Sequence, residues 1–330
     1  MIAGNDFAVF YHTDCKLVQY NGVYVMSFQI ITDSCCDLNQ EQYNAWNVAC
    51  VPLTVTYNGE SHKNFSDPAA VKAFYDELRN GVMASTAAAN PDDWGREMKK
   101  ALDAGQDVLV LCFTSALSTT YQSAHIAAND LREEYPQRTI LVVDTLCAAL
   151  GQGLLVYHAC RLRDEGKSIA EVHAWVEENK LHICHWVTVD DLTHLKRGGR
   201  ISATTAIVGT MLNIKPIIFV DNEGRLINTT KVRGRKVALE YLVKKLKETG
   251  TDMDTVFIGH GDCPEDAAAL EEMVKQQCGV RNVITGYVGP VIGAHTGPGV
   301  LVVFFLGTHR YCYRRSPCSH QICYGHCEKR

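Results

Sequence analysis

The sequence has no long hydrophobic run. Among its 330 residues no stretch of 18 uncharged apolar residues occurs, and the closest candidate, Ile140 to Cys160, is interrupted by Asp144 and two glycines. A membrane-spanning helix needs about 20 such residues, so no span is predicted. The N-terminus also lacks a basic region followed by a long apolar run, which argues against a secretory signal. We therefore expect a cytoplasmic protein whose 14 cysteines are reduced thiols.

The chain also lacks a strong charge of either sign. It carries 37 acidic and 32 basic residues, a formal net charge of −5, so nucleic acid is not an expected partner. The phosphate-binding motifs G-x-x-x-x-G-K-[ST] and G-x-G-x-x-G are both missing, and so is the G-x-S-x-G elbow of serine hydrolases. The sequence therefore predicts no nucleotide site and no cofactor. It leaves transient contact with a membrane surface open.

What is present is an ordinary globular composition, with 46% hydrophobic and 21% charged residues, and a length typical of about two domains. Short apolar runs bounded by Gly, Asp or Ser predict buried strands at 28–31, 108–113, 140–143, 217–220, 256–258, 283–288 and 300–306. Helix-start signals and apolar faces predict helices that begin near Asp67, Asn90, Ser168, Lys236 and Pro264.

Strands that alternate with helices predict an α/β fold with a mainly parallel sheet. The order changes after about Lys180, because residues 217–232 read as a hairpin with an Asp-Asn-Glu-Gly turn. We therefore expect an N-terminal α/β domain at 28–180 and a C-terminal α/β domain with a mixed sheet at 181–307. Residues 1–27 show no clear period and are interpreted as an extension, and residues 308–330 as an unstructured tail.

One loop joins two glycines to basic side chains. Lys196 to Arg200 reads Lys-Arg-Gly-Gly-Arg, and the glycines allow close backbone approach while Arg200 offers a fork for a carboxylate or a phosphate. The alternative is a basic surface turn.

Two further loops carry polar groups between apolar runs. Gly293 to Gly299 places His295 beside Thr296 in a tight, glycine-rich loop, for which an ordinary turn is the alternative. Thr114 to Thr120 is rich in hydroxyls and follows a predicted strand, where ligands bind in open α/β sheets. Its alternative role is to cap the following helix.

The tail is rich in cysteine and histidine. The spacing of its four cysteines does not give the paired knuckles of a typical zinc module, so no metal site is expected. The residues concerned are Cys312, Cys318, Cys323 and Cys327, with His309, His320 and His326.

Several ordered blocks together resemble the DegV family of bacterial fatty-acid-binding proteins, over about residues 28–307. The blocks are 31–38, Ser85-Thr86 leading to 90–94, 114–124, 143–145, 151–153, Leu195 to Ser202, Leu212 to Ile217, 231–233 and 293–299. The resemblance implies two α/β domains with a long-chain fatty acid, C16–C18, held in a tunnel between them. Some members are the acyl-carrying subunit of a bacterial fatty acid kinase. They present the carboxylate to a separate ATP-dependent kinase subunit, so the carrier itself is no enzyme.

Matched by position, the resemblance implies that Thr86, Ser118, Arg200 and His295 bind the fatty-acid carboxylate and that Arg233 docks the kinase subunit. Ser115, Thr119, Gly199 and Thr296 lie in the loops expected to surround the ligand. Two departures concern ligand preference. Alanine occupies 87–89, so the hydroxyl that often follows Thr86 is lost, and Thr119 replaces the glycine of an L-S-G-T block.

A different class of function uses two of the same residues. An enzyme acting directly on a small acid, or on an acyl or phosphate ester, would employ His295 as a general base and Arg200 as its anion-binding group. No nucleophile and base pair identifies itself in the sequence.

Overall fold

The computed structural model describes the backbone of residues 8–12, 15–20 and 23–26 and the full residues 28–190, 192–201 and 213–310. The strands are β1 (Ala8–His12), β2 (Cys15–Tyr20), β3 (Val23–Met26), β4 (Phe28–Asp33), β5 (Val48–Val51), β6 (Thr54–Tyr57), β7 (Glu60–Lys63), β8 (Ser85–Ala87), β9 (Asp107–Cys112), β10 (Ile140–Asp144), β11 (Ile183–Thr188), β12 (Ile214–Val220), β13 (Leu226–Arg233), β14 (Thr255–His260), β15 (Asn282–Tyr287) and β16 (Leu301–Leu306). The helices are α1 (Gln40–Ala45), α2 (Pro68–Arg79), α3 (Pro91–Asp103), α4 (Thr120–Glu134), α5 (Leu150–Asp164), α6 (Ile169–Asn179), α7 (Thr193–Arg197), α8 (Arg235–Thr249), α9 (Pro264–Cys278) and α10 (Pro290–Thr296).

Two larger sheets form the frame of the molecule. The parallel sheet has the order β10-β9-β4-β5, and every pair in it is parallel. The mixed sheet has the order β13-β12-β11-β16-β14-β15, in which only β14 and β15 pair in parallel. The expected α/β class is therefore confirmed, with a parallel sheet in the N-terminal part and a mixed sheet in the C-terminal part. Two small antiparallel sheets, β7-β6-β8 and β1-β2-β3, complete the described strands.

Local signals placed three helices, α2, α3 and α6, because their caps form as the sequence predicts. Asp67 and Asn90 each accept a backbone N–H of the first turn, with proline at the first position of both α2 and α3. Ser168 and Glu171 form the expected capping box at the start of α6. The hairpin is also confirmed, since β12 and β13 pair antiparallel around the turn.

Strand β11 was missed by sequence analysis. Its residues Ile-Cys-His-Trp-Val-Thr do not form an aliphatic run, yet all six are buried because β11 lies inside the mixed sheet. Strands β1, β2 and β3 were missed as well, because the sequence shows no clear period there. Their backbones pair as an antiparallel three-stranded sheet.

The mixed sheet packs on both faces. In β16, Phe304 faces the core shared with the parallel sheet and α5, whereas its neighbour Phe305 faces the core under α8 and α9. Successive strand residues point to opposite faces, so the two rings are equally buried in different environments.

A buried arginine joins the two parts of the molecule near the end of the described chain. Arg310 is 2% exposed and donates to the carbonyls of Ile183, Leu146 and Asp221. Sequence analysis assigned residues 308–310 to the unstructured tail. In the structure, Arg310 is instead buried and contacts residues that follow or belong to both sheets. The tail cysteines at 312–327 lie outside the described residues.

Candidate ligand-binding site

A cavity of about 440 Å³ lies between the parallel sheet and the mixed sheet. Most of its wall is apolar. The mixed sheet contributes strand residues, and the N-terminal part contributes residues that follow the parallel strands, such as Cys35 and Phe113. The aliphatic and aromatic lining residues are Leu53, Phe113, Leu117, Val187, Leu195, Ile218, Val220, Leu226, Val288, Val291, Ile292, Val300, Val302 and Phe304. Ligand sites of small molecules are of this kind, concave and apolar with a few polar groups.

Two polar side chains of the cavity lining, Thr86 and His295, contact each other directly. Thr86 lies in β8, where it pairs with Val55 of β6, and His295 lies in the last turn of α10. The Thr86 hydroxyl and His295 Nε2 are 2.8 Å apart. When Nε2 carries the imidazole proton, it donates to Thr86, and the threonine hydroxyl keeps its own proton for a ligand oxygen.

His295 is a neutral, closely confined side chain. Burial, and then the charge of Arg200, lower the pKa of His295 to about 4. Its second nitrogen, Nδ1, faces Gly198, where a methyl group would lie 2.2 Å away. Residue 198 therefore has to be glycine for the ring to reach Thr86.

Arg200 is held by backbone carbonyls at the same end of the cavity. Its Nε donates to Leu117 O at 3.3 Å and its guanidinium also donates to Gly198 O. Both carbonyls belong to predicted ligand loops, so Arg200 ties those two loops together and brings a fixed positive charge to the lining of the cavity.

Ser118 has two roles at this end. It lines the cavity, and its hydroxyl accepts the Thr120 N–H at 3.2 Å and lies 2.8 Å from the Thr120 hydroxyl. The N-cap residue of α4, Thr119, makes no side-chain capping hydrogen bond, so the capping role that sequence analysis offered as the alternative is not observed there; Ser118 instead accepts the N–H of the first helical residue. That hydrogen bond does not remove Ser118 from the cavity.

A second, smaller cleft of about 230 Å³ lies against the first. Thr86, Arg200 and His295 line both, and the cleft is otherwise bordered by residues such as Ser85, His194 and Arg197. The three shared residues therefore stand between an apolar interior and a polar outer cleft. A ligand oxygen bound to them would face outward.

The start of α10 is held by residues that sequence analysis missed. The Tyr75 hydroxyl donates to Val288 O at 2.7 Å, and the Asn64 side chain accepts the Val291 N–H at 3.2 Å. Gly293 packs directly against the Tyr75 ring, since a methyl group there would lie 2.6 Å from the hydroxyl. Because α10 has seven residues, these contacts also set the position of His295. No local pattern marks Tyr75 or Asn64, which occur in a helix face and a loop.

Asp33 connects the ends of β4 and β9 behind the cavity. Its carboxylate accepts the backbone N–H of Cys35 at 3.0 Å and of Phe113 at 2.7 Å, and both of these residues line the cavity. Complete burial raises the pKa of Asp33 to about 6.

The structure brings most of the predicted ligand residues together. Thr86, Ser118, Arg200 and His295 line one cavity, and so do the loop residues Ser115, Thr119 and Thr296. Gly199 lines neither this cavity nor the outer cleft, and it is its neighbour Gly198 that contacts His295.

The expected docking residue lies outside the cavity, and two residues of the resembling blocks lie outside the described part of the chain. Arg233 is exposed at the end of β13, outside the cavity lining. Ser202, the last residue of one resembling block, and Leu212, the first residue of another, lie outside the described residues. Within the part of the chain that the structure describes, no group of three metal-ligating side chains occurs and no helix has the length and apolarity to cross a membrane.

Comparison with known proteins bears on this arrangement. The model of the DegV family, described as an uncharacterised protein family, matches residues 27–308. This chain belongs to the DegV family. A DegV domain-containing protein of Clostridium perfringens is 44% identical over 283 residues, which are 85% of this chain and 97% of that protein.

Solved structures resemble this DegV protein over a similar range. A fatty-acid-binding DegV family protein from Thermus thermophilus is 31% identical with a TM-score of 0.74, covering 84% of this chain and 99% of that one. The fatty acid kinase B3 protein of Streptococcus pneumoniae, loaded with linoleic acid, has a TM-score of 0.75, covering 85% and 99% of the two chains. At 21% identity that second likeness shows the fold alone.

Proposed function

We propose that this DegV protein binds one long-chain fatty acid of C16–C18 in a tunnel between its N-terminal domain, 28–180, and its C-terminal domain, 181–307. Thr86, Ser118, Arg200 and His295 hold the carboxylate, with Ser115, Thr119 and Thr296 around it. The protein then presents this carboxylate to a separate ATP-dependent fatty acid kinase subunit, which forms the acyl-phosphate.

The observation that carries the proposal is the Thr86–His295 pair at one end of an apolar cavity. An acyl chain gains about 0.8 kcal/mol per buried methylene, whereas its carboxylate is costly to bury without hydrogen bonds or a cation. Hydroxyl donors and an arginine of the cavity lining meet that need, and Thr86 and Arg200 also line the outer cleft. Homologues that bind fatty acids support the same reading.

The outer cleft supports presentation to a partner. Because Thr86, Arg200 and His295 line the cleft as well as the cavity, a carboxylate bound there is reachable by another protein's active site. Arg233 is exposed, and none of the described acidic side chains forms an ion pair with it, which suits a docking residue.

The direct-enzyme alternative requires His295 to act as a general base. With its pKa lowered to about 4, His295 is a weak base at neutral pH, far from the range in which such catalysts are efficient. Carrier function makes no such demand, since a neutral imidazole suffices to hold Thr86.

Mass spectrometry of the protein purified from bacteria, first native and then denatured, tests the proposal. We expect one adduct per chain that releases a C16 or C18 fatty acid on denaturation. An empty protein that also fails to take up added oleate or palmitate would contradict it. Hydrolysis of an acyl ester or acyl-phosphate by this chain alone would favour the enzyme instead.

Kinase coupling is tested separately with a purified ATP-binding subunit of bacterial fatty acid kinase. Arg233→Ala is expected to keep its fatty acid and to slow acyl-phosphate formation. Arg281→Ala is the matched control, because Arg281 is an exposed arginine next to β15 at the opposite edge of the mixed sheet. Equal rates for Arg233→Ala, Arg281→Ala and the wild type would remove the docking role.

A further inference from the structure

The cavity has a direction that the strand register defines. β11 and β16 pair antiparallel, with Thr188 opposite Leu301 at one end and Ile183 opposite Leu306 at the other. The chain leaves the Thr188 end of β11 toward α7 and Arg200, and it enters the Leu301 end of β16 from α10 and His295. Both polar residues therefore lie beyond the same end of this strand pair.

From that end the cavity lining follows alternate residues of the two strands. Val300 comes first, then the pair Val187 and Val302, and then the pair His185 and Phe304. The next pair on this face, Ile183 and Leu306, does not line the cavity. The lining thus stops at His185 and Phe304, which we call the cavity floor.

The two floor rings pack closely against each other. His185 is 2% exposed and Phe304 is 1% exposed, and their ring centres are 5.3 Å apart at 84°, an edge-to-face contact. Neither ring has room to move aside without disturbing the core between the sheets.

Both nitrogens of His185 are occupied by backbone groups. Nδ1 donates to Ile183 O at 2.9 Å and Nε2 accepts the Ala148 N–H at 3.1 Å. Gly151 makes space for the ring, since a methyl group there would lie 2.2 Å from Nε2. The imidazole consequently offers carbon, not a hydrogen-bonding group, to whatever reaches the floor. Such a surface suits the methyl end of an acyl chain and not its carboxylate.

We propose that His185 and Phe304 form the stop that sets the longest acyl chain this protein accepts. The inference rests on the proposed fatty-acid function. Val300 and Phe304 are four residues apart, which is about 14 Å along a strand. An extended alkyl chain advances about 1.25 Å per carbon for bonds near 1.5 Å and angles near 111°, so this span takes about eleven carbons. The remaining carbons bridge Val300 and the carboxylate site.

The test compares two phenylalanines of the same strand. Phe304→Leu shortens the floor side chain, and Phe305→Leu makes the same change on the opposite face, outside the cavity. Dissociation constants are measured for delipidated protein with saturated fatty acids of about 12 to 20 carbons, for which each accommodated methylene gives about fourfold in affinity.

We expect the affinity of the wild type to stop rising at one chain length. Phe304→Leu should move that limit about two carbons longer, raising the preference for the longer acid about fifteenfold, because the vacated space admits further methylenes. Phe305→Leu should lower the melting temperature and leave the limit unchanged.

His185→Ala provides a second opening of the floor, and adding Gly151→Ala to it should refill part of the space and shift the limit back. The proposal that His185 and Phe304 set the chain length would be contradicted if the limiting length stayed unchanged in Phe304→Leu and His185→Ala. An equal shift of that length in Phe305→Leu would contradict it too. Neither result would contradict the fatty-acid function. If the wild type binds none of the acids, the proposed function is contradicted, and so is the role of His185 and Phe304 as the stop for the acyl chain.

Discussion

Thr86 and His295 are 209 positions apart in the chain, yet the threonine hydroxyl lies 2.8 Å from the imidazole Nε2. The threonine belongs to a small sheet in the N-terminal part, and the histidine to a short helix between β15 and β16 of the mixed sheet. The polar end of the cavity therefore exists only when the two parts of the protein pack together.

Thr86→Val should weaken fatty-acid binding without loss of the fold. Removing one hydrogen bond to a charged group costs about 1.5–3 kcal/mol, or roughly a 10- to 150-fold rise in Kd. Titration of delipidated protein with palmitate measures it. Thr54→Val is the control, since Thr54 lies in the neighbouring strand and lines neither the cavity nor the cleft. Equal affinity of both variants and the wild type would contradict the assignment of Thr86.

Ser118→Ala is expected to weaken palmitate binding and also to loosen the start of α4. The first effect follows from its place in the cavity, and the second from the lost hydrogen bond to the Thr120 N–H, worth about 1 kcal/mol. Binding and thermal unfolding should therefore both change. A lower melting temperature with unaltered affinity would leave Ser118 with only a structural role at the start of α4.

Gly198→Ala should disrupt the site although residue 198 has no side chain to bind a ligand. The added methyl group collides with His295 Nδ1, so the ring must leave Thr86. We expect palmitate affinity to fall by at least the value of that hydrogen bond, about fivefold or more. Gly199→Asn is the matched control, because a Cβ atom there has no heavy atom within 4 Å and Asn tolerates the positive φ of 71°. A Gly198→Ala protein that binds normally would remove this constraint.

His295 and Asp33 should give the stability of the ligand-free protein opposite pH dependences. The pKa of His295 is lowered from 6.5 to about 4, so the unfolded chain binds a proton on this residue more readily than the folded protein does. The contribution of neutral His295 to the free energy of unfolding is therefore lost as the pH falls from 6.5 to about 4. The pKa of Asp33 is raised from 3.8 to about 6, so its contribution is lost as the pH rises through 6.

The free energy of unfolding, measured by urea denaturation between about pH 4 and 6.5, distinguishes the two groups. His295→Gln should make the slope with pH less positive, and Asp33→Asn should make it more positive, each by up to about 1.4 kcal/mol per pH unit. Profiles parallel to that of the wild type would show that these groups do not titrate as described.

Tyr75→Phe should act on the ligand site from a distance. The variant leaves the buried Val288 carbonyl without the hydroxyl that now donates to it, which costs about 1–3 kcal/mol of stability. Because Val288 precedes α10, the Thr86–His295 contact should loosen and palmitate affinity should fall with stability. Tyr57→Phe, a half-buried tyrosine in β6, is expected to change neither. A Tyr75→Phe protein that is less stable but binds palmitate with full affinity would show that the Tyr75–Val288 hydrogen bond does not position α10 for ligand binding.

The elements that the sequence predicted correctly are those whose signals are local. Asp67 and Pro68 begin α2 and Ser168 with Glu171 begins α6, because a cap is completed within one turn of chain. Aliphatic runs located β9 and β16 for a similar reason, since burial on both faces requires them. The resemblance to a family, and not periodicity or spacing, singled out Thr86 and Arg233.

The packing of the two parts was decided only in three dimensions. Nothing near Tyr75 or Asn64 in the sequence indicates that they hold α10, and nothing near Gly198 indicates that it must leave room for His295. His185 likewise became the cavity floor only through its register with Phe304. Caps and apolar periods are satisfied by neighbours along the chain, whereas a cavity is shaped by surfaces that meet after the chain has folded, so local patterns do not determine it.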